Sequence, residues 1–156
     1  SNIFLTSFKD KLFHQVNIIR QRNPFLIFLI SYSLLLFLAF MYPFDISIDI
    51  GDIRRALKGA NLIPFYDYSQ TNLSFINIGL NIFPFIIFGF LGYAALRIYS
   101  SIAIFNTIFL GFCLATLIEI CQIFMVSRMF DVTGIILRGI GILSGVFLSV
   151  INYYRK

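Results

Sequence analysis

The chain has 156 residues, 59% of them hydrophobic and 12% charged, with a net charge of +5. A soluble domain of this length carries about a quarter charged residues, so a water-soluble globular fold is excluded and the long apolar runs indicate one small integral membrane domain. The positive balance does not call for a nucleic-acid partner, because Lys9, Lys11, Arg20, Arg22, Arg155 and Lys156 flank apolar runs, as the cytoplasmic ends of membrane proteins do.

Residues 1–23 set Phe4, Phe8, Leu12, Val16 and Ile19 at helical spacing, opposite Lys9, Asp10, Lys11 and Gln15. That pattern predicts an N-terminal interfacial amphipathic helix on the cytoplasmic leaflet, with contact to a partner protein as the alternative. Basic residues and a polar stretch precede the first long apolar run, so no cleavable signal peptide is expected. The lone His14 in this segment reads as solvated or headgroup-facing.

The first predicted span, 24–42, opens with Asn23 as cap and Pro24 at the first helical position, where its missing N–H costs nothing. The following loop, 43–73, contains "DIGDIRRALKGAN", with Asp49 and Asp52 early, Lys58 late and Gly59 as a stop. A short helix is predicted there, with Ile53, Ala56, Leu57 and Ala60 on one face. Three further spans follow at about 74–99, 101–126 and 131–153, each long enough to cross a hydrocarbon core of about 30 Å. The expected architecture is an all-α integral membrane protein: a single domain with a bundle of four transmembrane helices, the interfacial helix and the short helix of the outer loop. Lys and Arg placement puts both termini and the turn near Arg97 in the cytoplasm, although Arg54, Arg55 and Lys58 stand in the outer loop among acidic residues.

Polar residues inside the spans carry the information about function. Glu119 lies seven residues inside the predicted end of the third span, and Arg138 seven inside the start of the fourth. At the rise of an α-helix both are about 10 Å below the outer boundary, where Asn81 also falls. One turn nearer the surface stand Asn77 and Gln122, with Arg128 and Asp131 at the mouth. A lone charge in lipid costs about 2.5–3.5 kcal/mol on insertion scales, so Glu119 and Arg138 are expected to face the interior and pair, with Asn81 and Gln122 completing the hydrogen bonds. Two readings are open: a polar clamp that sets helix register, or a pocket open to the outer leaflet. Pro84 removes an N–H, frees the carbonyl of Leu80 next to Asn81 and predicts a kink, which either widens the pocket or is a packing feature. Gly141 and Gly145, Gly111 and Ala115, and Gly89 and Gly92 predict close helix packing, with Gly134 at a nearby angle. Cys113 and Cys121 share one span, too far apart to bond each other, and read as buried free thiols. No Ser/His/Asp arrangement, phosphate loop or metal-ligand cluster occurs, and no metal or cofactor is expected.

The polar residues of the last two spans resemble the signature of the VanZ-like membrane protein family: E-x-x-Q, a short loop with R-s-x-D, then D-v-l-l-N-t-x-G-x-x-x-G. Glu119, Gln122, Arg128, Asp131, Gly141 and Gly145 match in register. Upstream, N-x-l-x-F-x-P-x-G is similar to Asn81, Phe85 and Gly89, and "YPF" and "NLIPFYDY" are similar to the longer form of the family. The departures are Gly134 where the family has Asp, Arg138 where it has Asn, and Ile87 where it has Pro, with Pro84 three residues earlier. The resemblance implies a four-helix protein of the bacterial plasma membrane and cell envelope, and its namesake is linked to low-level resistance to the glycopeptide teicoplanin.

Three functions follow as expectations. The first is a non-enzymatic binder of membrane lipid, holding an anionic outer-leaflet or lipid-linked headgroup among Asn81, Glu119, Gln122, Arg128, Asp131 and Arg138, where an Arg fork grips phosphate through two hydrogen bonds. The second is an accessory subunit packed against a larger membrane protein. The third, an enzyme, has only Glu119 with Arg138 as candidates, and a carboxylate already held by a guanidinium suits binding better than proton transfer.

Overall fold

The computed structural model describes residues 23–60, 63–65, 74–98 and 102–155. The interfacial helix expected before Asn23, with His14, lies outside the described residues, as does most of "NLIPFYDY". The described chain is helical: α1 (Pro24–Phe40), α2 (Ile50–Lys58), α3 (Ser74–Leu96), α4 (Ala103–Gln122) and α5 (Val132–Tyr154). Among the described residues α3, α4 and α5 are long and apolar enough to cross a membrane, whereas α1 is an apolar helix of 17 residues.

Helix ends follow local chemistry. Pro24 opens α1, but Asn23 makes no capping bond; its Nδ2 donates instead to the Ala95 carbonyl 2.6 Å away, at the end of α3. The expected cap is thus a tether between two helices, because a fully buried amide is better satisfied by an orphan carbonyl at a neighbouring helix end. Asp49 caps α2 by accepting from Gly51 N at 2.7 Å, and Asp131 caps α5 by accepting from Thr133 N at 2.9 Å. In α2, Ala56 is buried, Ile53 is half-buried and Leu57 is exposed, while Ala60 lies beyond the helix end, so the apolar face is narrower than its spacing suggests.

The third predicted span is shortened: α4 ends at Gln122 rather than near Val126. Beyond it, Ser47 N donates to Phe124 O at 2.8 Å and Val126 N to Asp45 O at 3.1 Å, forming an antiparallel bridge between Ile46 and Met125. Ser127 N also donates to Asp45 Oδ2 at 2.8 Å. Residues 124–126 are apolar enough to continue a helix, but the chain after α1 offers them an extended partner, and tertiary pairing overrides the local pattern.

The core is the seam between α3 and α5, with α1 against α3 and α4 against α5. The seam is made of backbone. A Cβ on Gly141 would strike the Ile82 carbonyl, one on Gly145 the Ile86 carbonyl, and one on Gly89 the Ile142 carbonyl. Close approach of this kind replaces the hydrophobic drive that lipid cannot supply between helices. Phe85, Ile118 and Ile142 fill the interior, fully buried. Helix α3 runs unbroken through Pro84, whose carbonyl accepts from Tyr32 of α1 at 2.9 Å.

The outside of the bundle is covered by Phe28, Phe75, Phe83, Phe105, Phe109 and Phe147, all exposed. Apolar cover on this scale is untenable in water and is the surface lipid requires. Cys113 also faces outward, contrary to the expectation of burial, whereas Cys121 is half-buried and both are free. Because α4 buries only the stripe through Gly111, Ala115 and Ile118, Cys113 falls on its lipid side.

Candidate functional site: a polar cavity around a buried ion pair

Four elements bring polar groups to one end of the bundle. Arg138, on the second turn of α5, places Nη2 2.8 Å from Oε1 of Glu119 on the last turn of α4, and both side chains are almost wholly buried, at 3% and 2% exposure. The remaining guanidinium edges are bonded too: Nε donates to Asn81 Oδ1 at 3.2 Å and Nη1 to the Ala115 carbonyl at 3.2 Å. Its face lies on the Phe40 ring, 4.5 Å from the centroid, a desolvated cation–π contact. On the other side of the pair, Glu119 Oε2 accepts from the backbone N–H of Asp131 at 3.2 Å. A buried ion pair is stable only when its remaining lone pairs and protons are satisfied, and this one meets that condition.

Gly134 completes the arrangement. A Cβ at this position would stand 2.7 Å from Glu119 Oε1 and 3.5 Å from Arg138 Nη2. The bare backbone one turn before Arg138 is therefore what lets the carboxylate approach α5. Positions 134 and 138 serve one ion pair: the space that a Cβ at the first would take is occupied by the carboxylate that the guanidinium at the second holds.

Around this pair lies a cavity of about 320 Å³, lined by Phe40, Asn77, Asn81, Glu119, Gln122, Ser127, Arg128, Met129, Asp131, Gly134 and Arg138. All six residues proposed from the sequence, Asn81, Glu119, Gln122, Arg128, Asp131 and Arg138, border it, and so does Asn77. Glu119 and Arg138 pair as expected, and Asn81 bonds to the pair. Gln122 does not complete the ion pair; its Nε2 donates to the Phe40 carbonyl at 3.0 Å and closes the end of α1. Asp131 uses one carboxylate oxygen as the α5 cap. Asn81 donates from Nδ2 to the Asn77 carbonyl at 2.9 Å while accepting from Arg138. Arg128 is exposed at the mouth, where its Nη2 donates one long hydrogen bond, of 3.5 Å, to the Tyr42 carbonyl. The guanidinium available to a ligand is thus that of Arg128, because every edge of Arg138 already has a partner.

Sequence reasoning missed Phe40, Gly134, the Ala115 carbonyl and the Asp131 N–H. Backbone groups leave no trace in a sequence, and Phe40 is one of 20 phenylalanines. Gly134 did leave a signal: it stands one helical turn before Arg138, a charged residue inside an apolar span. Among the described residues no group of three or more His, Cys, Asp or Glu is placed to hold a metal ion.

No curated protein and no solved structure matches the chain. The model of one family, described as VanZ/LLP1, matches residues 25–153, from the first turn of α1 to the last turn of α5 and across every element that lines the cavity. The chain belongs to the VanZ/LLP1 family.

Proposed function

We propose that this VanZ-family membrane protein is a non-enzymatic binder of the bacterial cell envelope, whose polar cavity takes the anionic headgroup of an outer-leaflet or lipid-linked amphiphile. The observation that supports this reading most is the division of labour among the charged groups. The Glu119–Arg138 pair is internally satisfied and forms a rigid floor, while Arg128, exposed at the mouth, presents a planar fork suited to phosphate or carboxylate. Asn77, Asn81 and Gln122 add amide groups along the wall. In this reading α1 is the fourth span: 17 residues rise about 26 Å, the short end of what a bilayer accepts. The chain sits in the plasma membrane with both termini cytoplasmic, and the link to glycopeptide resistance carries over from the family resemblance. Mild solubilisation followed by mass spectrometry of retained lipids is the test. An anionic lipid kept by the native chain and lost from Arg128→Gln supports the reading; equal retention by both, with the fold intact, refutes it.

The alternative is an accessory subunit of a larger membrane complex, with the polar cluster as a register clamp. It is favoured by the completeness of the ion pair's internal bonding, which asks for no ligand. Co-purification of a stoichiometric protein partner, with no bound lipid, would decide for it.

A further inference from the structure

We propose that the opposite end of the bundle carries a second site, for an anionic glycerophospholipid, organised by Arg97 and Tyr153. Arg97 follows the last turn of α3, and its guanidinium carbon lies 4.3 Å above the ring centroid of Tyr153 on the last turn of α5. Stacking uses the face of the guanidinium and leaves its N–H edge pointing outward. Among the described residues no side chain or carbonyl takes a hydrogen bond from that edge, and no acid pairs with it.

The distribution of charge strengthens the case. The described acids, Asp45, Asp49, Asp52, Glu119 and Asp131, all belong to the end that holds the polar cavity, through the 45–47 bridge, α2 and the α4–α5 turn. The end defined by Arg97 has Arg155 and no described acid, so it has a positive field that nothing described there neutralises. A basic position between helix ends, framed by tyrosines, is what an anionic headgroup recognises at a membrane surface.

Shape selects a lipid over a free anion. Arg97 and Tyr153 form the common wall of two cavities, of about 470 and 430 Å³. One runs along α4 past Tyr93 and Ile104; the other runs along α1 past Phe25 and Phe90, with Ser149 and Asn152 as polar neighbours. A guanidinium that heads a largely apolar groove along α1, with a more polar, tyrosine-lined groove along α4 beside it, matches a phosphate whose acyl chain lies in the first and whose headgroup reaches the second. This site stands independently of any ligand in the first cavity.

Native mass spectrometry of the full chain in neutral detergent, with phosphatidylglycerol and phosphatidylcholine of identical acyl chains at equal concentration, tests the assignment. The wild-type chain should retain phosphatidylglycerol roughly five-fold more than phosphatidylcholine, the attraction of one basic residue for an anionic lipid. Arg97→Gln should bring the ratio close to one, and Tyr153→Leu should lower it, whereas an Arg54→Gln/Lys58→Gln variant at the far end should leave it unchanged. Glycerol 3-phosphate at the same concentration should not displace the lipid. Equal retention of both lipids by the wild type overturns the proposal, as does an undiminished ratio in a folded Arg97→Gln. If Arg97→Gln does not fold, Tyr153→Leu decides in the same way. Displacement by glycerol phosphate would make this a free-anion site and overturn the lipid assignment.

Discussion

Arg138 and Glu119 approach to 2.8 Å across α5 and α4, and each is bonded on every side the bundle exposes to it. Two opposite charges out of water are tolerable together and costly apart. Glu119→Gln should leave a buried guanidinium without its counter-charge, and Arg138→Met a buried carboxylate without its own. Each should destabilise by about 3–5 kcal/mol. The double variant removes both charges and should cost less than the sum, with a coupling of roughly 0.5–3 kcal/mol. Thermal unfolding of the four proteins in one detergent measures it, and strict additivity would refute the pairing.

The pair is legible in the amino-acid sequence because physics leaves so few resolutions for a charge inside an apolar helix. Its surroundings are less so. Residue spacing places Glu119 seven residues from the end of its span, yet α4 stops at Gln122, because Phe124, Met125 and Val126 pair with Asp45 and Ser47. Nothing in three apolar residues distinguishes a helix end from a bridge when the deciding partner is about 80 residues away. The four apolar runs, the glycine seam and the convergence of six polar residues follow from composition and periodicity. Which hydrogen bond each residue makes depends on carbonyls of other helices, such as Ala115 for Arg138 and Phe40 for Gln122. Gln122 therefore closes α1 instead of completing the ion pair.

The α3–α5 seam predicts a sharp contrast between neighbours in sequence. Gly145→Ala introduces a methyl into the Ile86 carbonyl, a backbone atom that cannot swing aside. Leu148→Ala removes exposed apolar surface from the same helix. The first should lower stability by about 1–3 kcal/mol, as overpacking does, and the second by a few tenths. A melting temperature for Gly145→Ala no lower than that for Leu148→Ala would count against a backbone seam.

Topology makes a separate prediction. If the 43–73 loop is external, Ile48→Cys, in a background with Cys113 and Cys121 replaced, should react with an impermeant thiol reagent in intact cells. Ile48 is 82% exposed, so access within the fold is not limiting. Labelling only after permeabilisation would reverse the orientation and place the polar cavity in the cytoplasmic leaflet.

Gly134 gives the most specific prediction, because it separates a packing glycine from one that serves the ion pair. A packing glycine resists a methyl whatever stands opposite. Here the atom that a Cβ would meet, at 2.7 Å, is Glu119 Oε1, held in place by Arg138 and by the Asp131 N–H. Gly134→Ala should therefore push the carboxylate off its partners and cost about 1–3 kcal/mol in the native background. In a Glu119→Ala/Arg138→Met background the obstacle is gone. The same substitution should then be neutral or favourable, since alanine exceeds glycine in helix propensity by about 1 kcal/mol. Equal cost in both backgrounds would return Gly134 to the seam. A sign change between them would show that the bare backbone at 134 is there for the ion pair that Arg138 makes with Glu119.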